Sequence, residues 1–157
     1  MKLRVEVVAL DCLMVRLFDE IAETNMPWML AASESLRTAF AGHLIDLVPS
    51  YTTLMVHYDL TALSPAQARE LIAEALIDLS PNAHARGQCH VLPVWYDLSV
   101  GPELTLLSQR SGLAVEEVIR RHCEHEYQVF AFGFAPGSAF MGLVEEVLAA
   151  PGLDTPR

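Results

Sequence analysis

The 157-residue sequence predicts an α+β fold. Three observations carry that prediction. Short runs of alternating or β-branched residues recur along the chain, as strands require. Two longer segments repeat their apolar residues at the helical period. Hydrophobic residues make up 52% of the chain against 19% charged, enough for a buried core.

The elements follow in order. Residues 3–8 and 13–18 read as strand, bent near Asp11. A helical period takes over from about residue 20 to 40, where Ile21, Met29, Ala32, Leu36 and Phe40 share a face and Gly42 is the stop. Pro27 suits a first turn, which places the true helix start there. Residues 44–48 and 53–58 are β-branched runs joined by Pro49-Ser50-Tyr51, a hairpin signal. Ser64 is an N-cap with Pro65 behind it, and Ala68, Leu71, Ile72, Ala75 and Leu79 make the next apolar stripe. Pro81-Asn82 ends that helix, and residues 88–96 read as a further strand. The order is β-α-β-β-α-β, the split arrangement of a ferredoxin-like sandwich, assigned to residues 1–95. Trp28 and Trp95 are expected in the core.

Residues 96–157 differ in character. Gly101-Pro102-Glu103 opens a short helix closed by Gly112. A second helix spans 115–123 with Glu116 and Glu117 in its first turn, where the dipole favours them. An apolar strand, 127–132, then runs into Gly133-Phe134-Ala135-Pro136-Gly137. No regular element accommodates that pentapeptide, because Pro136 lacks a donor and the glycines invite unusual backbone angles.

Charge and cysteine usage narrow the function classes. The net charge of −10 would repel phosphate backbones, so nucleic acid is excluded as the expected partner. No stretch reaches the roughly 18 apolar residues of a membrane helix. Glu6 and Asp11 interrupt the apolar N-terminal residues, so no secretory signal is expected. Cys12, Cys89 and Cys123 are odd in number and widely spaced. They form no disulfide framework, and a reducing cytoplasm is the expected location.

Amides between glycines can cradle an anion or a carbonyl oxygen, so the loop 133–137 is a candidate site. It lacks the Gly-Lys-Ser/Thr ending of a phosphate loop and the Gly-x-Ser-x-Gly of a nucleophile elbow; on spacing alone it reads as a tight apolar turn. His122, Cys123 and His125 form the densest set of potential metal ligands. Zinc sites draw on separated segments, however, and histidines at a helix C-terminus satisfy the dipole, so no metal is assigned. His57 could be oriented by Asp59 as a general base. Cys89 and His90, adjacent on a strand, would face opposite sides. These residues do not make a self-sufficient catalytic set.

The order of segments resembles that of the family of 5-oxoprolinase B subunits, which includes proteins labelled allophanate hydrolase subunit 1 and a sporulation-kinase inhibitor. The resemblance rests on Pro49-Ser50-Tyr51 through Val56-His57-Tyr58-Asp59, on Leu92-Pro93-Val94-Trp95-Tyr96, and on Gly101-Pro102-Glu103-Leu104. It continues with Ser111-Gly112-Leu113 and Glu116-Glu117-Val118-Ile119, with Phe132 to Gly137, and with Thr155-Pro156-Arg157. Ser138 stands where the family usually has Phe, and the stretch before Thr155 is longer than usual. The resemblance implies that 96–157 opens a cyclophilin-like β-domain that family members continue past their Thr-Pro-Arg. It also implies ATP-dependent opening of 5-oxo-L-proline to L-glutamate, with magnesium-ATP, by a complex with an A subunit and a larger C subunit. Gly133, Phe134, Pro136, Gly137, Ser138 and Arg157 would then line a substrate or partner cleft. The alternative that it implies is a regulatory protein that binds and inhibits a sensor histidine kinase.

Overall fold

The computed structural model describes residues 3–82 and 87–152. Of these, the residues within Met1–Gly87 and Val129–Met141 form one compact unit, and those within Gln88–Gln128 and Gly142–Arg157 form a second. Helix and strand mix in one chain as the sequence predicts, and the fold class is α+β.

The first unit rests on an antiparallel four-stranded sheet. Its strands are β1 (Arg4–Ala9), β2 (Cys12–Arg16), β3 (Leu44–Pro49) and β4 (Thr53–Tyr58), in the order β1-β2-β4-β3. Alternation sends Leu13 and Val15 of β2, and Leu54, Val56 and Tyr58 of β4, to one face, where all five are buried. Helix α1 (Met26–Phe40) adds Met26, Met29, Ala32, Leu36 and Phe40 to the same core, a spacing that keeps one stripe inward. Pro27 lies in its first turn as expected. Ile21 falls before the helix and is exposed. Helix α2 (Pro65–Leu76) starts from a capping box: Ser64 N–H donates to Gln67 Oε1 at 2.9 Å, and Gln67 N–H donates to Ser64 Oγ at 3.4 Å. Its Ala68, Ile72 and Leu76 complete the core. Each fully buried large side chain contributes about 1.5–3 kcal/mol.

Two strands depart from expectation. The single bent strand at the N-terminus is a hairpin: Ala9 pairs with Cys12, and the chain reverses through Leu10 and Asp11. Strand β4 holds that turn, with Tyr58 N–H donating to Asp11 O at 3.0 Å and the Tyr58 hydroxyl donating to Leu10 O at 2.8 Å. Residues 88–96, expected as the last strand, form none. Val91 is 92% and Trp95 74% exposed, so Trp95 is not a core residue, while Trp28 is half-buried. The sheet position beside β2 belongs to β1. Closing a hairpin over two residues costs far less chain entropy than recruiting a segment from beyond α2.

The second unit contains α3 (Leu104–Ser111) and α4 (Val115–Glu124), with a small core of Leu104, Val118 and Leu148. Gly112 ends α3 in the left-handed conformation (φ 70°), the position that glycine takes without strain. The first stretch of the first unit runs to Gly87, and the second unit starts at Gln88. The chain returns to the first unit as the two-stranded hairpin β5 (Gln128–Phe132) and β6 (Ala139–Gly142). Among the described residues no helix is long and apolar enough to cross a membrane.

Candidate functional site

The glycine-proline loop joins β5 to β6. Gly133 N–H donates to Ser138 O at 3.2 Å, which closes the hairpin. Inside it, Ser138 N–H donates to Ala135 O at 2.9 Å, with Pro136 and Gly137 at the two central positions and Gly137 at φ 81°. That is a type II turn, and its residues are the ones such a turn selects: Pro for its fixed φ, Gly for the positive φ that follows. Ala135 N–H donates to Gly133 O at 2.8 Å, a three-residue turn that forces Phe134 to φ 66°.

This geometry alters the loop's expected chemistry. The amides of Gly133, Ala135 and Ser138 bond within the loop, and Pro136 has none to give. The Phe134 and Gly137 amides make no bond within the loop, so any amide cradle there would rest on those two. The loop presents apolar surface. Phe134 is 98% exposed, and Pro136 is exposed beside it. Ser138 is half-buried at the base of β6. Arg157 lies outside the described residues.

The hairpin is anchored by rings. Phe130 of β5 is buried in the first unit's core, 5.3 Å from the ring of Tyr51, and Tyr51 meets Phe140 of β6 edge-on at 6.4 Å. Gly133 faces the Phe140 ring: a Cβ there would lie 3.5 Å from it, an ordinary contact. Beside this anchor runs an apolar groove of about 360 Å³. Its walls are Met26, Met29, Leu30 and Ser33 of α1, the residues from Leu47 to Ser50, and the residues from Val129 to Phe132. The Ser33 hydroxyl is committed to Met29 O at 2.7 Å. The loop residues do not line the groove; their neighbour Phe132 does. Residue spacing carries no sign of the groove, because three elements far apart in the chain form it.

The histidines sort differently from expectation. His57 Nε2 lies 3.1 Å from Asp11 Oδ2, not from Asp59. Asp59 accepts from Thr61 N–H at 2.8 Å and the Thr61 hydroxyl at 2.6 Å, bonds that hold its carboxyl below the usual range. Cys12 sits across from His57 in the sheet, and Asp46 flanks His57 on the other side. Burial, then Asp11, then Asp46, push the Cys12 thiol up, so it stays protonated and is a poor nucleophile. Cys89 and His90 are exposed and outside any strand.

At the end of α4, His122 Nδ1 is hydrogen-bonded to the Tyr96 hydroxyl. The Tyr127 ring lies 5.2 Å from His122 and 4.7 Å from His125. Burial, followed by a hydrogen bond with Cys123, pushes Tyr96 up to about 12. Among the described residues no group of three His, Cys, Asp or Glu could hold a metal ion.

Residues 3–157 match the family described as carboxyltransferase domain, subdomain C and D. The chain is 28% identical to the 5-oxoprolinase B subunit of Bacillus subtilis (strain 168), over 98% of this chain and 68% of that one. It is 35% identical to the protein of the same name from Escherichia coli O157:H7, over 42% of this chain and 30% of that one. The crystal structure of TTHA0988 superposes on 93% of this chain with a TM-score of 0.74 and 32% identity, and the match occupies 28% of that longer chain. A second crystal form of TTHA0988 gives a TM-score of 0.66 at 31% identity, over 90% of this chain and 26% of that one.

Proposed function

The chain belongs to the family described as carboxyltransferase domain, subdomain C and D, and from that premise we propose that it is a 5-oxoprolinase B subunit, a non-autonomous part of an ATP-dependent 5-oxoprolinase. The complex opens 5-oxo-L-proline to L-glutamate with the consumption of ATP and water, and this chain works in it with an A subunit and a C subunit in the cytoplasm. The observation that carries the reading is a family match running from residue 3 to residue 157.

The site geometry supports a contributing role rather than a complete one. The Cys12 thiol beside His57 is kept protonated and is not an activated nucleophile. The described residues also lack an acidic cluster suited to magnesium. ATP with magnesium is therefore assigned to the assembled complex, and no step on this chain is routed through it. What this chain supplies is an apolar wall. Phe134 and Pro136, at the tip of a turn fixed by its own hydrogen bonds, can pack on a partner or exclude water from a shared cleft without reorganising first. In TTHA0988 the matched region is about a quarter of one polypeptide, which supports a fold that operates beside much additional protein.

The same exposed Phe134 also suits a protein ligand, which keeps inhibition of a sensor histidine kinase as the second reading. Co-expression with the cognate A and C subunits, followed by 5-oxoproline-dependent ATP hydrolysis, separates the two. Turnover that needs all three chains is the expected result. A complete complex that hydrolyses no ATP with 5-oxoproline present overturns the enzyme reading.

A further inference from the structure

The four-stranded sheet packs one face only. Helices α1 and α2 cover the side that carries Leu13 and Val15 of β2 and Leu54 and Val56 of β4, and the alternate residues point away from them. The strand registers align those outward residues in rows. Met14, Met55 and Val48 lie side by side across the middle, half-buried or exposed. At one end Arg4 lies opposite Arg16. At the other end His57 lies between Cys12 and Asp46 and is held by Asp11. The face is therefore apolar along its centre, basic at one end and acidic at the other. Arg4 is bonded to Asp19, and Arg16 lies 3.9 Å from Glu6. Each guanidinium has several donors and is partly exposed, so these pairs leave it able to meet a further acceptor.

We propose that this face docks on the same face of a second copy of the chain, forming a weak two-fold dimer. Strand addition, the other route by which a sheet associates, is obstructed at both edges. On β1, Arg69 donates to Val5 O at 3.1 Å. On β3, Arg37 donates to Leu47 O at 3.3 Å, and Leu47 N–H donates to Asp46 Oδ1 at 2.8 Å. Charge then selects the symmetry. A two-fold axis along the strands would set Arg4 and Arg16 on the arginines of the second copy. An axis across the strands, through the Met14–Met55 row, sets methionine on methionine and brings the arginines over the second copy's Asp11 turn. That arrangement is self-complementary, as an isologous contact requires. Methionine suits it, because a flexible thioether chain fills the irregular gaps between two sheets. Four strands of five or six residues, about 4.8 Å apart and rising about 3.3 Å per residue, span roughly 19 by 18 Å. Such a face is small for a specific interface, so the dimer is expected to be in rapid exchange with monomer.

The test is sedimentation equilibrium of the whole chain, under reducing conditions, over a thousandfold range of concentration. The expected result is a monomer–dimer equilibrium that Met55→Glu weakens at least tenfold. Val91→Glu, which alters an exposed apolar residue outside the sheet, should leave it unchanged. Arg16→Glu should also weaken the dimer at least tenfold, and adding Asp11→Lys to Arg16→Glu should restore it. A monomer at every concentration overturns the proposal, as does a dimer that survives Met55→Glu or is lost equally in Val91→Glu. If Met55→Glu does not fold, the charge exchange answers the same question: no weakening in Arg16→Glu, or weakening that Asp11→Lys does not reverse, overturns it. A chain that stays monomeric while Met55→Glu blocks its assembly with the C subunit assigns the face to that partner, and the dimer falls. None of these outcomes depends on turnover, so the 5-oxoprolinase reading stands or falls separately.

Discussion

His57 Nε2 lies 3.1 Å from Asp11 Oδ2, which ties strand β4 to the Leu10–Asp11 turn that starts β2. Asp59, two residues from His57, plays no part in that pair because Thr61 holds its carboxylate. Asp11→Asn is therefore expected to change the His57 ring resonances, and Asp59→Asn to leave them unmoved. With both partners partly exposed, the stability cost of Asp11→Asn is expected to stay below about 1 kcal/mol. The opposite pattern of NMR shifts would return Asp59 to the role assigned to it by proximity in sequence.

The same turn gives a sharper stability prediction. The Tyr58 hydroxyl is buried and donates to Leu10 O. Tyr58→Phe keeps the ring and strands that carbonyl, at an expected cost of about 1–2 kcal/mol in denaturant unfolding. A variant as stable as the parent would mean that the turn is held by the backbone bond of Tyr58 alone.

In the loop, Gly137 and Gly133 separate two causes. Gly137→Ala places a Cβ on a positive φ and is expected to cost about 1–2 kcal/mol. Gly133→Ala meets Phe140 at an ordinary distance and is expected to be tolerated, whereas Gly133→Val presses its methyl groups on that ring. In the assembled complex, Gly137→Ala and Gly133→Val should each reduce subunit association or turnover more than Gly133→Ala does. Equal, negligible effects would remove the loop from the site.

Helix α4 carries an acid-sensitive network. Hydrogen bonds from Arg120, then from Arg121, hold the Glu117 carboxyl down to about 2 from an ordinary 4.5. A depressed carboxyl stabilises the fold above its unfolded value and loses that contribution as pH falls, here between 4.5 and about 2. Amide exchange in α4 should accelerate through that window in the parent chain and much less in Glu117→Gln. Added salt should shrink the difference, since the Glu117 carboxylate and its arginine partners are partly open to solvent.

The Ser64 cap offers a simple check of α2. Ser64→Ala removes the acceptor for Gln67 N–H and is expected to cost about 1 kcal/mol, while Ser64→Asp is expected to retain most of the stability. Thermal unfolding of the two variants would distinguish capping from a general surface effect.

Much of the fold was legible in residue spacing. The stripe from Met29 to Phe40, the Ser64-Pro65 start of α2 and the hairpin through Ser50 depend on local chemistry, and local chemistry is what a sequence displays. The reversal at Leu10–Asp11 was not visible, since Ala9-Leu10-Asp11-Cys12 has no Gly or Asn to mark a tight turn. Residues 88–96 have strand-like composition but pair with no strand, and β propensity expresses little without such pairing. Pro136-Gly137 announced the turn in the candidate site correctly. Which of the loop's N–H groups the turns themselves use emerges only from the folded backbone. The Asp11–His57 pair and the groove beside β5 unite residues distant in the chain, for which periodicity carries no signal.

Phe130 joins the first unit's core from a hairpin that the chain reaches only after passing through α3 and α4. A growing polypeptide released only as far as residue 87 would hold both helices and all four strands of the sandwich, yet Tyr51 would still lack its ring partner. The sandwich would spend part of its synthesis with an open apolar seam along α1 and β3, vulnerable to wrong pairing until β5 emerges.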